Sequence, residues 1–223
     1  MGNAELSAKA RTVLEAARDV FLTHGFSAAT TDMIQREAGV SKSTVYAHYP
    51  NKEALFVAVI EAECAVFAAT LRGMEPRPGR LREVLTALAG AYLDIVLSPT
   101  GLALFRVVVA EAPRFPDLAR TFYLAGPQVI ANVVADHLAV AMASDEVDLA
   151  EVGREAAANL FINLVRAGPQ LQCLTHPGAS PSAAQMDQWT NEAVSTFMRA
   201  YGRDGGQAAS ERARGRAART KAK

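Results

Sequence analysis

Apolar residues recur at helical spacing along almost the whole chain, and strictly alternating apolar–polar runs are missing. That one pattern removes most folds from consideration. Without strands there is no sheet to close into a barrel, pair into a sandwich or wind into an α/β core, so each apolar stripe has to be buried helix against helix. Residues 107–109 form the only β-branched run, and they sit inside residues 101–112, which have helical length and no internal turn signal. A chain of 223 residues with 50% hydrophobic and 21% charged side chains supports a sizeable core. The expectation is an all-α fold of about nine helices.

Glycine, proline and capping residues punctuate these helices. The first covers residues 7–24, with Val13, Leu14, Ala17, Val20 and Phe21 on one face and Arg11, Glu15 and Arg18 on the other. Gly25 stops it and Phe26 follows as an apolar anchor. Thr30 or Thr31 caps a second helix that ends near Ala38, Gly39 turns the chain over a buried Val40, and Ser41 caps a third helix at 42–48. Pro50 blocks its continuation, and Asn51 caps a long helix that reaches Arg72, with Glu53 in its first turn. After a loop at Pro76, Pro78 and Gly79, helices are expected at 80–97, 101–112, 116–143, 149–167 and 182–201. Gly126-Pro127 should kink the third of these, or break it and raise the count by one, and 168–181 reads as an irregular connection. From Gly202 onward no large apolar residue remains, so 202–223 is expected to be a disordered basic tail.

Residues 30–55, TTDMIQREAGVSKSTVYAHYPNKEAL, carry the most chemical information. Two short helices joined by a glycine turn make a helix-turn-helix candidate. The second is too short to be stable alone and must be held by its neighbours. Val45 and Tyr49 are its inward anchors, while Lys42, Ser43, Thr44, Tyr46 and His48 present donors. A helix that reads DNA needs this division, one apolar stripe inward and donors directed at base edges in the major groove. Thr30 and Thr31 stand at a helix N-terminus, where unpaired N–H groups favour a phosphate, and Tyr46, His48 and Lys52 are placed to donate to phosphates flanking the groove. Taken singly, each of these residues reads equally well as a surface polar group capping a short helix; the ordered set does not.

The same block resembles the TetR family of transcriptional regulators: a first helix ending in HGF, then TT, then REAGVSKSTVYAHYPNKEALF. The close resemblance spans residues 11–56. A weaker one lies within residues 101–128, where FRVVVAEAPRFPDLARTFYLAGP is similar to the C-terminal domain of the AefR-like branch. The resemblance implies a homodimer with an N-terminal three-helix DNA-binding head at 1–50 and a larger C-terminal ligand-binding and dimerisation domain at 51–201. It implies double-stranded operator DNA and a small-molecule effector as partners, with repression relieved when an apolar or amphipathic inducer binds. It places Lys42, Ser43, Thr44 and Tyr46 in the recognition helix, and Thr31, His48, Tyr49 and Lys52 at backbone contacts. Tyr49 replaces the commoner phenylalanine of that block; its ring can still pack inward, and its hydroxyl adds a phosphate donor.

Within the C-terminal helices, Phe67, Tyr92, Phe105, Phe122 and Tyr123 are candidates for the walls of an apolar cavity, and Arg106, Gln128 and Asn132 for orienting a ligand in it. Aromatic residues at helical spacing are more often core, and Arg106, close before Glu111, serves a polar exit to solvent as readily as a ligand contact. His137 reads as a surface or satisfied core histidine. The last two helices carry Ala157, Leu160, Phe161 and Leu164, and Met186, Trp189, Val194 and Phe197, stripes that suit either an intramolecular core or the four-helix interface that the resemblance implies. A two-fold dimer would read a palindromic operator with half-sites roughly 34–36 Å apart.

Other chemistry is not encoded. Cys64 and Cys173 cannot build a disulfide framework or a four-ligand zinc site. Cys64 reads as an inert core thiol, and Cys173, placed after a loop, as more exposed. There is no HExxH pair, GxSxG elbow or glycine-rich phosphate loop, and His24, His48, His137 and His176 lack metal-ligand spacing. The chain is read as a non-enzyme without cofactor or metal. The alternatives are a transcriptional activator or effector-independent regulator and, from a different class, a helical small-molecule-binding protein or enzyme with a vestigial helix-turn-helix. Residues 1–10 show no signal-peptide core, and the apolar stretch 84–97 is too short for a bilayer and carries Asp94, so a cytoplasmic protein without a membrane partner is expected.

The formal net charge of +0, from 23 basic and 23 acidic residues, argues at first against a nucleic-acid binder. It averages unlike parts. The tail holds seven basic and two acidic residues, the rest of the chain sixteen and twenty-one, and residues 1–56 six of each. A neutral head has to bind DNA through where its charges and hydroxyls point. Glu15 and Asp19 are expected to face away from the duplex, and the tail reads as a solvated end or a sequence-independent DNA contact.

Overall fold

Each of the first four helices begins on a side chain that satisfies one of its own unpaired backbone N–H groups. Ser7 accepts from Ala10, Thr30 from Met33, Ser41 from Thr44 and Asn51 from Ala54. The computed structural model describes residues 7–178 and 180–203. Among these are ten α-helices and no strand: α1 Ala8–Ala28, α2 Thr31–Ala38, α3 Lys42–His48, α4 Lys52–Arg72, α5 Leu81–Val96, α6 Pro99–Glu111, α7 Pro116–Ala125, α8 Pro127–Ala143, α9 Arg154–Thr175 and α10 Ala183–Tyr201. The expected all-α class is what the chain adopts. The count is ten rather than nine because the break at Gly126-Pro127 is complete: Gly126 leaves helical geometry (φ −107, ψ −89) and Pro127 starts a new helix.

Two glycines near the head are needed for their backbone angles. Gly25 (φ 77, ψ 167) leaves helical geometry and breaks α1 where the sequence placed its end, with one further turn after it, and Gly39 (φ 63) closes α2 in the left-handed region. A Cβ at either position would meet nothing within 4 Å, so conformation and not space selects glycine there.

The chain forms two compact units. Among the described residues the first comprises 7–73, 94–130, 168–178 and 180, and the second 74–93, 131–167 and 181–203. An aromatic cluster anchors the first. Phe26 stacks on Phe56 at 5.0 Å, lies 5.8 Å from Phe21 and takes the Phe115 ring edge-on at 4.7 Å. Val13, Val20, Ile34, Val45, Leu55 and Ile60 are buried around it, which joins α1 to α4 with α6 and α7 in one core.

In the second unit, buried residues from α5, α8, α9 and α10 include Leu85, Leu138, Ala157, Phe161, Val194 and Phe197. Glu146 fixes the start of α5, accepting from the Gly79 and Leu81 N–H groups at 2.8 Å each and from the Ser144 hydroxyl at 2.6 Å. Burial acts to raise this carboxyl, and the hydrogen bonds from Ser144, Leu81 and Gly79 more than offset it and hold Glu146 below the usual range. Gly202 and Arg203, assigned to the tail by composition, are tied in here: Gly202 pairs with Val147, and Arg203 bonds Asp145, Asp148 (2.8 Å) and the Glu146 carbonyl (2.7 Å). The rest of the expected tail, 204–223, lies outside the described residues.

Three local expectations are corrected. The ninth helix starts at Arg154, after Gly153 (φ 78) ends a turn closed on the Leu149 carbonyl, and it runs through Pro169 to Thr175 instead of ending near Ala167. Burial of Pro169, Gln170 and Cys173 on those turns outweighs the backbone bond that proline forfeits. Cys173 is consequently buried, and both thiols are pushed up by burial, Cys64 to about 12. Finally, 84–97 is not the only apolar stretch to be weighed against a bilayer. By length and composition alone α4 (mean hydropathy 2.0) and Pro116–Ala143 are apolar enough to cross a bilayer. In α4 much of that apolar surface serves the core, through Leu55, Phe56, Val59, Ile60, Cys64, Ala68 and Leu71.

His137 is buried with Nδ1 unpartnered, and burial holds its ring below the ordinary histidine value against the opposing effects of the Met74 backbone and Asp136. The folded chain therefore favours the neutral ring. Stability that is complete above about pH 6.5 is lost as pH falls toward the lower folded value, because the unfolded chain protonates first. Thermal unfolding at pH 7.5 and 5.5 should show this loss, and His137→Gln should reduce it. The Glu146 contribution falls in a separate window, below its ordinary value of 4.5.

Candidate nucleic-acid interface

The core dictates which way α2 and α3 face. Ile34 and Val45 are fully buried, so the remaining faces of both helices turn outward. On α3 this exposes Lys42, Ser43, Tyr46 and His48, with Thr44 half-buried. Tyr46 is 44% exposed although it is a large aromatic residue, a placement that burial alone would not choose.

The outward faces are tied to each other. Thr31 Oγ1 meets the Tyr46 hydroxyl at 3.3 Å, and Lys42 Nζ lies 3.0 Å from Asp32. The hydrogen bond to Asp32 raises the Lys42 ammonium above its ordinary value, so it stays charged throughout the physiological range. Ser41 gathers the hydroxyls of Ser43 and Thr44 at 2.8 Å each while capping α3. Thr30 uses its oxygen to accept from Met33, which does not consume its own O–H.

Two of the sequence-derived donors turn inward. Tyr49 is buried, and its hydroxyl donates to the Ala10 carbonyl at 3.3 Å rather than presenting itself to a phosphate; burial also pushes it up. Lys52 donates to the carbonyls of Phe26 (2.9 Å) and Ala29 (3.0 Å) and lies 4.5 Å above the Phe26 ring. It clamps the end of α1 to the start of α4 and satisfies carbonyls at the C-terminal end of α1. A second clasp lies nearby and was not signalled by sequence spacing: the Glu111 carboxylate accepts from the Ser27 N–H (2.9 Å) and hydroxyl (2.8 Å), and Arg114 donates to Ser27 Oγ at 3.1 Å. Arg18 pairs with Asp19 at 2.9 Å, while Lys42 stands paired only with Asp32 among the ion pairs described.

The ligand candidates are distributed over both units. Phe67, Phe105, Arg106, Phe122, Tyr123 and Gln128 belong to the first unit, and Tyr92 and Asn132 to the second. Phe105 and Phe122 meet edge-on at 6.4 Å, and Tyr92 is buried. Tyr123 is exposed, and exposed Arg106 donates to the Cys173 carbonyl at 3.4 Å, the polar exit allowed for it. A cleft of about 460 Å³ in the first unit is lined by other residues, among them Glu53, Val57, Arg114, Phe115, Asp117 and Thr121. The dimer candidates also divide. Ala157, Phe161, Val194 and Phe197 are core, with the two phenylalanines 5.2 Å apart, and Met186 and Trp189 are half-buried. Leu160 and Leu164, one turn apart on α9, are each 44% exposed and available to a partner.

Comparison with known proteins matches two family models. Residues 13–59 match bacterial regulatory proteins of the tetR family, and residues 83–203 the C-terminal domain of AefR-like transcriptional repressors. The regulator RutR of Escherichia coli K12 is 37% identical over 67 residues, which cover 30% of this chain and 32% of RutR. The matched segments thus span about a third of such curated relatives, AcnR of Corynebacterium diphtheriae at 36% included. The solved structure of the flavonoid-responsive regulator FrrA is 34% identical, with a TM-score of 0.70 over 87% of this chain and 97% of that one. A TetR-family regulator from Mesorhizobium loti has a TM-score of 0.80 at 22% identity, covering 90% and 100%, a likeness of fold.

Proposed function

Because this chain belongs to the TetR family, with a C-terminal domain of the AefR-like type, we propose that it is a sequence-specific DNA-binding repressor released from its operator by a small apolar or amphipathic effector. The observation that carries this reading is the outward face of α3, where Lys42, Ser43, Tyr46 and His48 stand exposed on a short helix held by Val45. In the major groove Lys42 is placed to donate to guanine O6 and N7, and Tyr46 and His48 to bases or adjoining phosphates. Thr30, Thr31 and the α2 N-terminus are assigned the backbone of the duplex. Tyr49 and Lys52 act from behind, by holding α3 and α4 in place.

Residues 1–50 are taken as the DNA-reading domain and 51–201 as the part that binds effector and dimerises. Leu160 and Leu164 supply the exposed part of the interface between copies, over a core that includes Phe161 and Phe197. The flavonoid-responsive FrrA supports an effector of amphipathic aromatic type. Effector would act by favouring a spacing of the two heads that no longer matches successive major grooves. The protein is assigned to the cytoplasm as a non-enzyme acting on DNA.

The test is selection of duplex from a random library by the full chain. Enrichment of a palindrome with half-sites about one helical turn apart is expected. Recovery of unenriched sequence overturns the reading.

A further inference from the structure

Asp32 is an acidic side chain on a face that otherwise offers donors. It is the second residue of α2, exposed, and its carboxylate is 3.0 Å from the ammonium of Lys42, the first residue of α3. Its neighbour Thr31 meets Tyr46 at 3.3 Å. The two contacts link the same two helices, so Asp32 belongs to the surface from which Lys42 and Tyr46 project. A carboxylate in the first turn of a helix interacts favourably with the helix dipole. That accounts for an acid near the start of α2, and not for its engagement with the cation best placed to meet DNA.

We propose that Asp32 is a specificity-determining residue, which holds Lys42 on the groove side and withholds it from backbone phosphates, so that the head gains little from DNA of arbitrary sequence. The inference rests on the DNA-binding reading above. Non-specific affinity comes from cations that neutralise phosphates and release condensed counterions. If Lys42 moved to a phosphate, Asp32 would be left unpaired beside a polyanion, so the exchange gains little. A base edge imposes no such loss. An ammonium has three N–H donors, and Lys42 can donate to the neutral acceptors of guanine while keeping Asp32. The charge count agrees with this economy: with six acids and six bases in residues 1–56, each acid that masks a cation lowers the affinity for DNA in general.

The test measures the full chain on a random-sequence duplex and on the selected operator of equal length, across a salt series. Wild type, Asp32→Asn, Lys42→Gln and the double variant are compared. Asp32→Asn should bind the random duplex roughly three- to tenfold more tightly at low salt, with a log–log salt slope steeper by about 0.9 per head. Operator affinity should change less, so the specificity ratio falls. The gain should vanish in the double variant, and Lys42→Gln alone should leave the random-duplex slope unchanged. An unchanged slope in Asp32→Asn overturns the proposal, as does a gain that survives in the double variant. Thermal unfolding of each variant shows whether the head is intact, and a gain that disappears in the double variant does not come from misfolding. Failure of wild type to prefer its selected operator would overturn the DNA-binding reading itself, an outcome distinct from those.

Discussion

Phe26→Ala is expected to cost about 3–5 kcal/mol and, with it, DNA binding. The ring is fully buried, stacked on Phe56, close to Phe21 and met edge-on by Phe115, with the Lys52 ammonium above it. Truncation leaves a cavity lined by rings that cannot collapse into it and removes the face over which Lys52 is held. Phe26 also sits directly after the kink at Gly25, so its loss loosens the point where α1 turns toward α2. Urea unfolding followed by far-ultraviolet circular dichroism measures the loss. A change below about 1 kcal/mol would mean that the aromatic cluster does not support the head.

Replacing Lys42 and Tyr46 together with Ala acts at the other extreme. Operator affinity is expected to fall at least about thirtyfold, since each good base contact contributes roughly 1–3 kcal/mol. Stability should stay within about 0.5 kcal/mol of wild type. Both side chains are exposed, and the contacts they make, to Asp32 and Thr31, are surface contacts of small net value. Affinity for random-sequence duplex should change little if Asp32 already withholds Lys42 from phosphates. Anisotropy titration paired with thermal unfolding separates loss of recognition from loss of fold; unchanged operator affinity would remove these residues from the interface.

Local rules made the head legible from sequence. Ser41, Gly39 and Asn51 each act through backbone bonds within a few residues, and α3 begins and ends where its cap and Pro50 require. Side-chain partners distant in sequence were not legible. Nothing in the spacing reveals that Lys52 would find the Phe26 and Ala29 carbonyls, that the Tyr49 hydroxyl would turn to Ala10, or that Glu111 would meet Ser27. Residues 168–181 were read as an irregular connection, and there burial of Pro169, Gln170 and Cys173 carried α9 onward to Thr175. The apolar stripes of α9 and α10 left core and interface indistinguishable by pattern, because periodicity reports which residues share a face and not what covers it. Phe161 and Phe197 are core, and Leu160 and Leu164 are exposed.

A neutral head that binds DNA should owe its affinity to the match between one surface and one site. The direct measurement is the dissociation constant of the full chain for its selected operator and for a random duplex of equal length, in one buffer at physiological salt. Operator binding at least about a thousandfold tighter is the predicted result. Equal affinities for the two duplexes would contradict the account.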